Sequence, residues 1–276
     1  MKRSSLVLIP LSLALLAARK PGDPKYENHF APGPPPASDA VSFEVKDAES
    51  QDQFIQVDLR ATNRTKDQLI VYKKGEAKFV TSKGTFTTAA GSIFGGPVLL
   101  EPGDARSVGF KVEGQGFTGE PFTLQPVGLY IGPNAGVPIK TPEFTLPATN
   151  NTFSNGPFYC KMVSVAQATQ KTAAVFACTY SGDGIGYIDA AKIGVREPKG
   201  QEFANVARNA PRDTVLPGAT ARFTVWFEIP AKVADMQFAT LSVLFRDAFS
   251  ESPLKPMGLA DWAFNPDAAA TAAANR

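Results

Sequence analysis

The sequence predicts an all-β protein made of two antiparallel β-sandwich domains in tandem. Apolar and polar residues alternate over short segments, as in the run from Leu99 to Val112, and Gly, Asn, Asp and Pro separate these segments. Such alternation with frequent turn signals is typical of antiparallel strands that have one buried face. Neither half of the chain contains a run of about 12 residues with helical spacing.

A Pro-Gly turn followed by an alternating strand occurs twice. Pro102-Gly103 and Pro217-Gly218 are 115 positions apart (217 − 102), and apolar residues follow each pair in the same phase. Proline presets φ near −65°, and glycine tolerates the positive φ that a type II turn requires at the next position. We therefore interpret each turn as the entry to a core strand. The glycine spacing and the helix of a phosphate loop are missing from both copies.

The two ends of the chain have compositions unlike the middle. Residues 1–18 have the charged, apolar and small-residue order of a secretory signal peptide, with cleavage expected after Ala18. Their apolar run is too short to span a membrane, so we expect no stable span after cleavage. Residues 19–40 are rich in proline and predict an extended linker. Residues 265–276 are rich in alanine and predict a disordered tail.

The repeat and a polar connector define the expected domain limits. We place β-sandwich domain 1 at residues 41–148 and β-sandwich domain 2 at residues 157–264, with limited burial between the two domains. Trp262 lies in the last predicted strand, where it would close the second core. Trp226 lies between Val225 and Phe227 and must point to the opposite face of its strand. It would cover the linker or the other domain, or serve as an exposed binding aromatic.

The charge balance does not favour nucleic-acid binding. Loss of Lys2 and Arg3 with the leader reduces 28 basic residues to 26 (28 − 2), equal to the 26 acidic residues. Proteins that bind nucleic acid through phosphates usually carry a basic excess on one face. We expect no nucleic-acid partner.

The two cysteines predict a structural disulfide. Cys160 and Cys178 lie in alternating segments joined by a short polar turn near Thr169. A hairpin centred on Thr169 places them directly opposite each other, within disulfide reach. An even cysteine count in an exported chain favours a disulfide over a redox site, and the sequence has no C-x-x-C motif.

The sequence offers few groups for catalysis. His29 is the sole histidine and lies in the Pro-rich linker, so triads and His-ligated zinc sites lack a member. We therefore expect no enzyme activity, no catalytic residues, no metal and no cofactor. Acid pairs could still serve a hydrolase, but only if Asp183 and Asp247 share one cleft. The other scattered candidates are Asp189 and Glu251.

The two repeats, each with a Pro-Gly turn and an alternating strand, resemble the tandem immunoglobulin-like β-sandwiches of bacterial envelope proteins. The pattern departs from antibody domains because no disulfide with an intervening tryptophan joins two sheets. The resemblance implies little about role. We expect an exported, non-enzymatic binding or structural module, periplasmic or at the cell surface, with a protein partner. The alternative is a carbohydrate-binding module in which Tyr130, Tyr187 or Trp262 stacks on a glycan.

Overall fold

The computed structural model of the protein describes residues 19–88 and 97–276, and it is all-β with one short helix at the carboxyl end. The expected signal peptide, residues 1–18, lies outside these ranges. The strands of the amino-terminal half are β1 (Asn28–Pro32), β2 (Val41–Gln51), β3 (Phe54–Asn63), β4 (Gln68–Tyr72), β5 (Lys78–Thr81), β6 (Gly84–Thr87), β7 (Val98–Leu100), β8 (Ala105–Glu113), β9 (Phe122–Gln125), β10 (Leu129–Pro133), β11 (Val137–Pro138) and β12 (Phe144–Leu146).

The carboxyl-terminal half repeats this series. Its elements are β13 (Thr152–Asn155), β14 (Phe158–Ala168), β15 (Lys171–Tyr180), β16 (Ile185–Ile188), a 3₁₀ turn (Ala190–Lys192), β17 (Gly194–Arg196), β18 (Glu202–Ala204), β19 (Asp213–Val215), β20 (Thr220–Glu228), β21 (Leu241–Leu244), β22 (Phe249–Ser252), β23 (Lys255–Pro256), β24 (Trp262–Pro266) and the helix α1 (Ala268–Ala274).

The same three-stranded unit begins each repeat. In the first repeat β2 and β3 form a long hairpin and β8 pairs with β3, while in the second β14 and β15 form the hairpin and β20 pairs with β15. Both hairpins contain a one-residue bulge, at Lys46 and at Val163, which are 117 positions apart (163 − 46). The matching bulges and the matching strand order show that the internal repeat is present in the structure as well as in the sequence.

The last two strands of each repeat pair with the other repeat. Strand β24 pairs with β9, and β12 pairs with β21. The short strands behave in the same way, because β23 pairs with β10 and β11 pairs with β22. The resulting sheets have the orders β6-β5-β9-β24-β1-β2-β3-β8, β18-β17-β21-β12, β13-β14-β15-β20, β23-β10-β4-β7 and β11-β22-β16-β19. The two repeats therefore exchange strands reciprocally within one chain.

Three buried clusters hold these sheets together. The first contains Val57, Phe110 and Trp262, the second contains Phe176, Val225 and Phe249, and the third lies between the repeats. The third cluster is formed by Leu69, Val71, Ile185, Tyr187 and Leu216. Strand β4 separates the first cluster from the third, because successive side chains of a strand point to opposite faces.

The sheets stack as layers around these clusters. On β4, Ile70 and Tyr72 face the first cluster, whereas Leu69 and Val71 face the third. The sheet of β4 and the sheet of β16 therefore pack against each other in the middle of the molecule. The β2-β3-β8 and β14-β15-β20 units cover the two outer sides, so their solvent-facing surfaces lie at opposite ends of the stack.

The structure differs from the expected linker and tail. Strand β1 lies within the Pro-rich segment 19–40, where Phe30 is buried and His29 pairs with Glu49 of β2. The Ala-rich segment 265–276 forms α1, whose N-cap carboxylate on Asp267 accepts from the Ala270 N–H. Both segments are ordered because they pack on each other and on the first repeat.

The domain limits also differ from the expected division at residues 41–148 and 157–264. Trp262 lies in the first core and not in the second, since its indole packs on Phe43 and Phe264. Phe144, expected in the first domain, lies in the second core. Strand exchange and the third cluster create extensive burial between the repeats. Limited burial between independent domains is not what the structure shows.

The structure contains the predicted disulfide between Cys160 and Cys178. The two residues are direct partners in the β14-β15 hairpin, with Cα atoms 4.0 Å apart. The bulge at Val163 shifts the register beyond the disulfide, so the turn consists of Thr169 and Gln170 rather than being centred on Thr169. The corresponding pair in the first repeat is Phe43 and Ala61.

Within the described ranges, no helix has both the length and the apolar composition needed to cross a lipid bilayer.

Candidate functional site

Two of the three predicted glycan-stacking aromatics are buried. Trp262 is 2% exposed, and its indole N–H donates to the Gly33 carbonyl at 2.9 Å. Tyr187 is fully buried, and its hydroxyl donates to the Pro133 carbonyl at 2.6 Å. Burial raises the pKa of the Tyr187 phenol, and Arg212 lies 4.3 Å from its ring centroid. A sugar ring cannot stack on either aromatic in this structure.

Tyr130 is closer to the surface, but its functional groups are already engaged. Its hydroxyl donates to Glu76 Oε2 at 2.7 Å, and this hydrogen bond, followed by partial burial, raises the pKa of the Tyr130 phenol. Lys73 Nζ lies 4.6 Å from its ring centroid. The three predicted aromatics therefore do not form one binding surface.

A cavity of about 470 Å³ lies where β11 joins the second repeat. Its walls carry Asp183 and Glu251 beside apolar residues such as Val137 and Leu254. Tyr180 donates a hydrogen bond of 2.5 Å to Glu251 Oε1, and burial followed by this bond raises the pKa of the Tyr180 phenol. Asp247 is not among the described residues that line this cavity, so the acid-pair hypothesis on Asp183 and Asp247 has no common cleft to support it.

The remaining acid candidate has a local structural role. Asp189 caps the 3₁₀ turn by accepting from the Ala191 N–H at 3.2 Å.

The outer face of the β14-β15-β20 unit carries an apolar strip. Ala166 of β14, Ala173 of β15 and Trp226 of β20 are cross-strand partners, and the next row contains Val175 between Ser164 and Thr224. The small alanines leave the sheet surface flat beside the indole, which is 41% exposed. The indole of Trp226 is therefore open to solvent on this face, rather than covered by a linker or by the other repeat.

Basic side chains border this strip. Lys161 and Arg222 lie on either side of Ala177 in the adjacent row. On the other side, Lys171 Nζ lies 4.7 Å from the Trp226 ring centroid and 3.6 Å from Glu228 Oε1. The rows carry three basic residues and one acidic residue, so the surface is apolar and basic. We call it the basic-apolar face, and it comprises Lys161, the bulge residue Val163, Ser164, Ala166, Lys171, Ala173, Val175, Ala177, Arg222, Thr224, Trp226 and Glu228.

The first repeat provides a matched surface of different chemistry. Shifting β14 and β15 back by 117 positions and β20 back by 115 positions superimposes the rows, and Trp226 then corresponds to Lys111. Val175 corresponds to Asp58, and Ala173 corresponds to Gln56. We call this surface the acidic face, and it comprises Glu44, the bulge residue Lys46, Asp47, Glu49, Phe54, Gln56, Asp58, Arg60, Ser107, Gly109, Lys111 and Glu113.

The charges of the two faces have opposite signs. The acidic face carries five carboxylates, on Glu44, Asp47, Glu49, Asp58 and Glu113, and three basic groups, on Lys46, Arg60 and Lys111. The repeat therefore keeps one scaffold and presents two different surfaces. Because these two faces lie at opposite ends of the stack, each molecule has one acidic end and one basic-apolar end.

Potential metal ligands meet at the edge of the acidic face. The ligand atoms of Glu27, His29 and Glu49 all lie within 4.8 Å of one another. Burial, followed by repulsion from Asp47 and Glu27, raises the pKa of the Glu49 carboxyl. Sequence analysis missed this group because it assigned His29 to a linker. The alternation of His29 with Phe30, which is buried, was the available signal for a strand.

No family model and no curated protein matches the chain. Among solved structures the chain is similar to the yjhA protein from Bacillus subtilis, with 11% identity and a TM-score of 0.28. The alignment covers 36% of this chain and 80% of that chain. A likeness of this size carries no argument about fold or function.

Proposed function

We propose that the protein is an exported, non-enzymatic structural module, with immunoglobulin-like sandwich domains, that associates with further copies of itself through the outer faces of its two repeats. The observation that carries the proposal is the replacement of charged rows in the first repeat by an apolar, basic surface in the second. The leader sequence and the disulfide support export, because disulfides persist in oxidising compartments.

The apolar strip supports contact with a protein surface. Trp226 belongs to the residue types that dominate binding energy at protein interfaces, and it lies beside small side chains that permit close approach. Its counterpart Lys111 shows that the same backbone position accepts a charged residue when no such surface is required. An exposed tryptophan is therefore not a requirement of the fold.

Charge complementarity supports a second copy as the partner. Lys161 and Arg222 present positive charge at one end of the molecule, and Asp47 and Asp58 present negative charge at the other. Opposite faces of one chain that bind each other form a head-to-tail contact, which leaves one unused face at each end of the assembly. Contacts of this kind generate chains rather than closed dimers unless their rotation closes a ring. Complementary charge increases the association rate and makes it depend on salt.

Two sets of variants test the proposal. Trp226→Lys with Arg222→Ser copies the residues of the first repeat and should disable the basic-apolar face. Glu44→Lys with Asp58→Lys should disable the acidic face. Phe238→Lys is the matched control, because Phe238 is 79% exposed and lies outside both faces. Sedimentation velocity of each purified protein, at low and high salt and up to about 1 mM, measures association in the weak range.

The proposal predicts how each protein assembles alone and how the two face variants assemble when they are mixed. We expect the wild type and the Phe238→Lys variant to form concentration-dependent oligomers that weaken at high salt, while each face variant alone remains monomeric. Mixing the two face variants should give a complex of one to one that grows no further, since one intact face of each kind remains. A monomeric wild type at all concentrations, or oligomers that persist in both face variants, would overturn the proposal. Glycan binding that is lost in Trp226→Lys would overturn it in favour of the carbohydrate-binding alternative.

A further inference from the structure

Glu27, His29 and Glu49 converge because of strand pairing. His29 lies directly opposite Glu49 in the antiparallel pair of β1 and β2. Glu27 precedes His29 by two positions, and residues two apart in an extended chain point to the same side. Their potential ligand atoms lie within 4.8 Å of one another. Two carboxylates and one imidazole therefore face one point on the sheet.

The imidazole of His29 has an unsatisfied nitrogen at this point. Its Nε2 atom is buried and has no hydrogen-bond partner among the described residues. Glu27 Oε2 lies 3.9 Å away, too far for a hydrogen bond. Two ligand atoms that share one ion at about 2.0 to 2.2 Å lie about 3 to 4 Å apart. The gap between these two atoms is thus of the size that a shared ion requires.

The other imidazole nitrogen faces a third carboxylate-bearing residue. Asp47 Oδ1 lies 3.4 Å from His29 Nδ1. Metal-ligating histidines commonly have a carboxylate behind the nitrogen that does not bind the metal, which fixes the tautomer and the ring orientation. Asp47 is therefore a positioning residue, while Nε2 is directed toward Glu27.

The carboxyl-terminal helix holds this part of β1 in place. The Asp267 N–H donates to the His29 carbonyl at 2.8 Å, and the His29 N–H donates to Thr271 Oγ1 at 2.9 Å. Asn275 bonds both the N–H and the carbonyl of Glu27. Arg19 engages Glu27 Oε1 at 2.6 Å, and this contact leaves Oε2 directed toward His29. The ligand backbone is consequently fixed before any ion arrives.

We propose that Glu27, His29 and Glu49 bind a divalent first-row transition metal ion, with zinc as the representative. One nitrogen and two carboxylate oxygens are ligands that zinc accepts, whereas calcium and magnesium prefer sets made only of oxygen. Three protein ligands leave at least one coordination position for water or for a group from another molecule. Unlike the proposed self-association, the metal site needs only one copy of the chain.

The sole histidine makes the proposal directly measurable. Untagged protein is titrated with zinc chloride by isothermal titration calorimetry, and imidazole ¹⁵N chemical shifts are followed by NMR, since every imidazole signal belongs to His29. We expect one zinc ion per chain and a large shift of the Nε2 resonance. Glu49→Gln and His29→Gln should each weaken zinc binding at least about 100-fold, and Asp47→Asn should weaken it about 10-fold to 100-fold. Calcium chloride should produce no shift of Nε2.

The control is Glu44→Gln, which removes one carboxylate from the same face without touching the cluster. It should retain the wild-type zinc affinity, whereas a purely electrostatic attraction would weaken by the same amount in Glu44→Gln and Glu49→Gln. Equal effects of these two variants, an unmoved Nε2 resonance at saturating zinc, or no binding below about 1 mM zinc would overturn the proposal. Circular dichroism of each variant excludes loss of fold as the cause, and Glu49→Gln retains the shape of the side chain.

Discussion

The ring of Phe264 stacks on the ring of Phe122, with centroids 5.0 Å apart and ring planes inclined by 8°. The two residues are 142 positions apart in the chain (264 − 122) and are cross-strand partners between β24 and β9. The last strand of the second repeat is thus an integral part of the first core. The reciprocal contact places Phe144 of β12 opposite Val243 of β21.

Strand exchange predicts that the halves of the chain do not fold alone. A fragment of residues 19–149 lacks β23 and β24, and a fragment of residues 150–276 lacks β11 and β12. Each would expose a row of unpaired backbone groups and an open core. We expect no cooperative thermal unfolding from either fragment by circular dichroism, and recovery of a single transition when both are refolded together. Two fragments with separate transitions of their own would contradict the exchanged pairing.

Removal of the disulfide should destabilise the protein by about 3 kcal/mol. Cys160 and Cys178 close a loop with a sequence separation of 18, and crosslinks of this length restrict the unfolded chain by about that amount. Urea unfolding of the Cys160→Ala, Cys178→Ala variant measures the free energy of unfolding. Reductant should lower the wild-type midpoint and leave that of the variant unchanged. An unchanged wild-type midpoint in reductant would show that the bond does not contribute.

Asn275 should contribute more to stability than its position near the end of the chain suggests. Its side chain bonds the N–H and the carbonyl of Glu27, and the residue is 5% exposed. Asn275→Ala leaves both groups of Glu27 unpaired, and we expect a loss of about 1 to 3 kcal/mol in the free energy of unfolding. Arg276→Ala is the matched control, for which the change should stay within about 0.5 kcal/mol. Equal effects of the two variants would argue against a structural role for Asn275.

Asp213 should make stability depend on pH. Burial raises the pKa of its carboxyl above the usual value of 3.8, so the folded state holds the proton more tightly than the unfolded state. The unfolded chain therefore binds fewer protons between the two pKa values, and stability falls as the pH rises through that window. Asp213→Asn should match the wild type below pH 3.8 and become the more stable protein above the folded pKa. Urea midpoints measured from acid to neutral pH test this, and parallel curves would refute it.

The sequence predicted the parts of the fold that depend on local pattern. Alternation predicted a core strand after Pro102-Gly103, and Val108, Phe110 and Val112 of this strand are buried. The Cys160–Cys178 pair was predicted from hairpin geometry, because the position of a turn determines which residues of a hairpin lie opposite each other. The bulge at Val163 was not predicted. A single extra residue leaves no distinct pattern in the sequence, and it moved the turn by half a residue.

Strand exchange could not be predicted from the same pattern. Strands β11 and β23 each contain two residues, and β12 contains three, so their alternation does not identify a partner. The exchanged strands β24 and β12 both carry large apolar residues at their buried positions. The sequence therefore does not distinguish pairing within one repeat from pairing with the other repeat. Trp262 was assigned to the wrong core for this reason. The burial of Phe30 likewise depends on Phe122 and on β24, and the fixed position of His29 depends on α1, which lies more than 200 residues further along.

The candidate sites were predicted less well than the fold. The opposite orientation of Trp226 followed from alternation, but its flat surroundings depend on cross-strand neighbours in β14 and β15. Tyr187 and Trp262 were two of the three predicted glycan-stacking aromatics, and both are buried. An aromatic residue alone does not indicate whether its ring faces solvent, because that depends on which strands pack over it.

Reciprocal exchange also determines when the protein can fold during its synthesis. Chains leave the ribosome from the amino end onward. The first core cannot close until β24, which pairs with β9, has been made. Contacts between distant segments are slow to form. The core of the amino-terminal repeat therefore stays open until the second repeat has been synthesised.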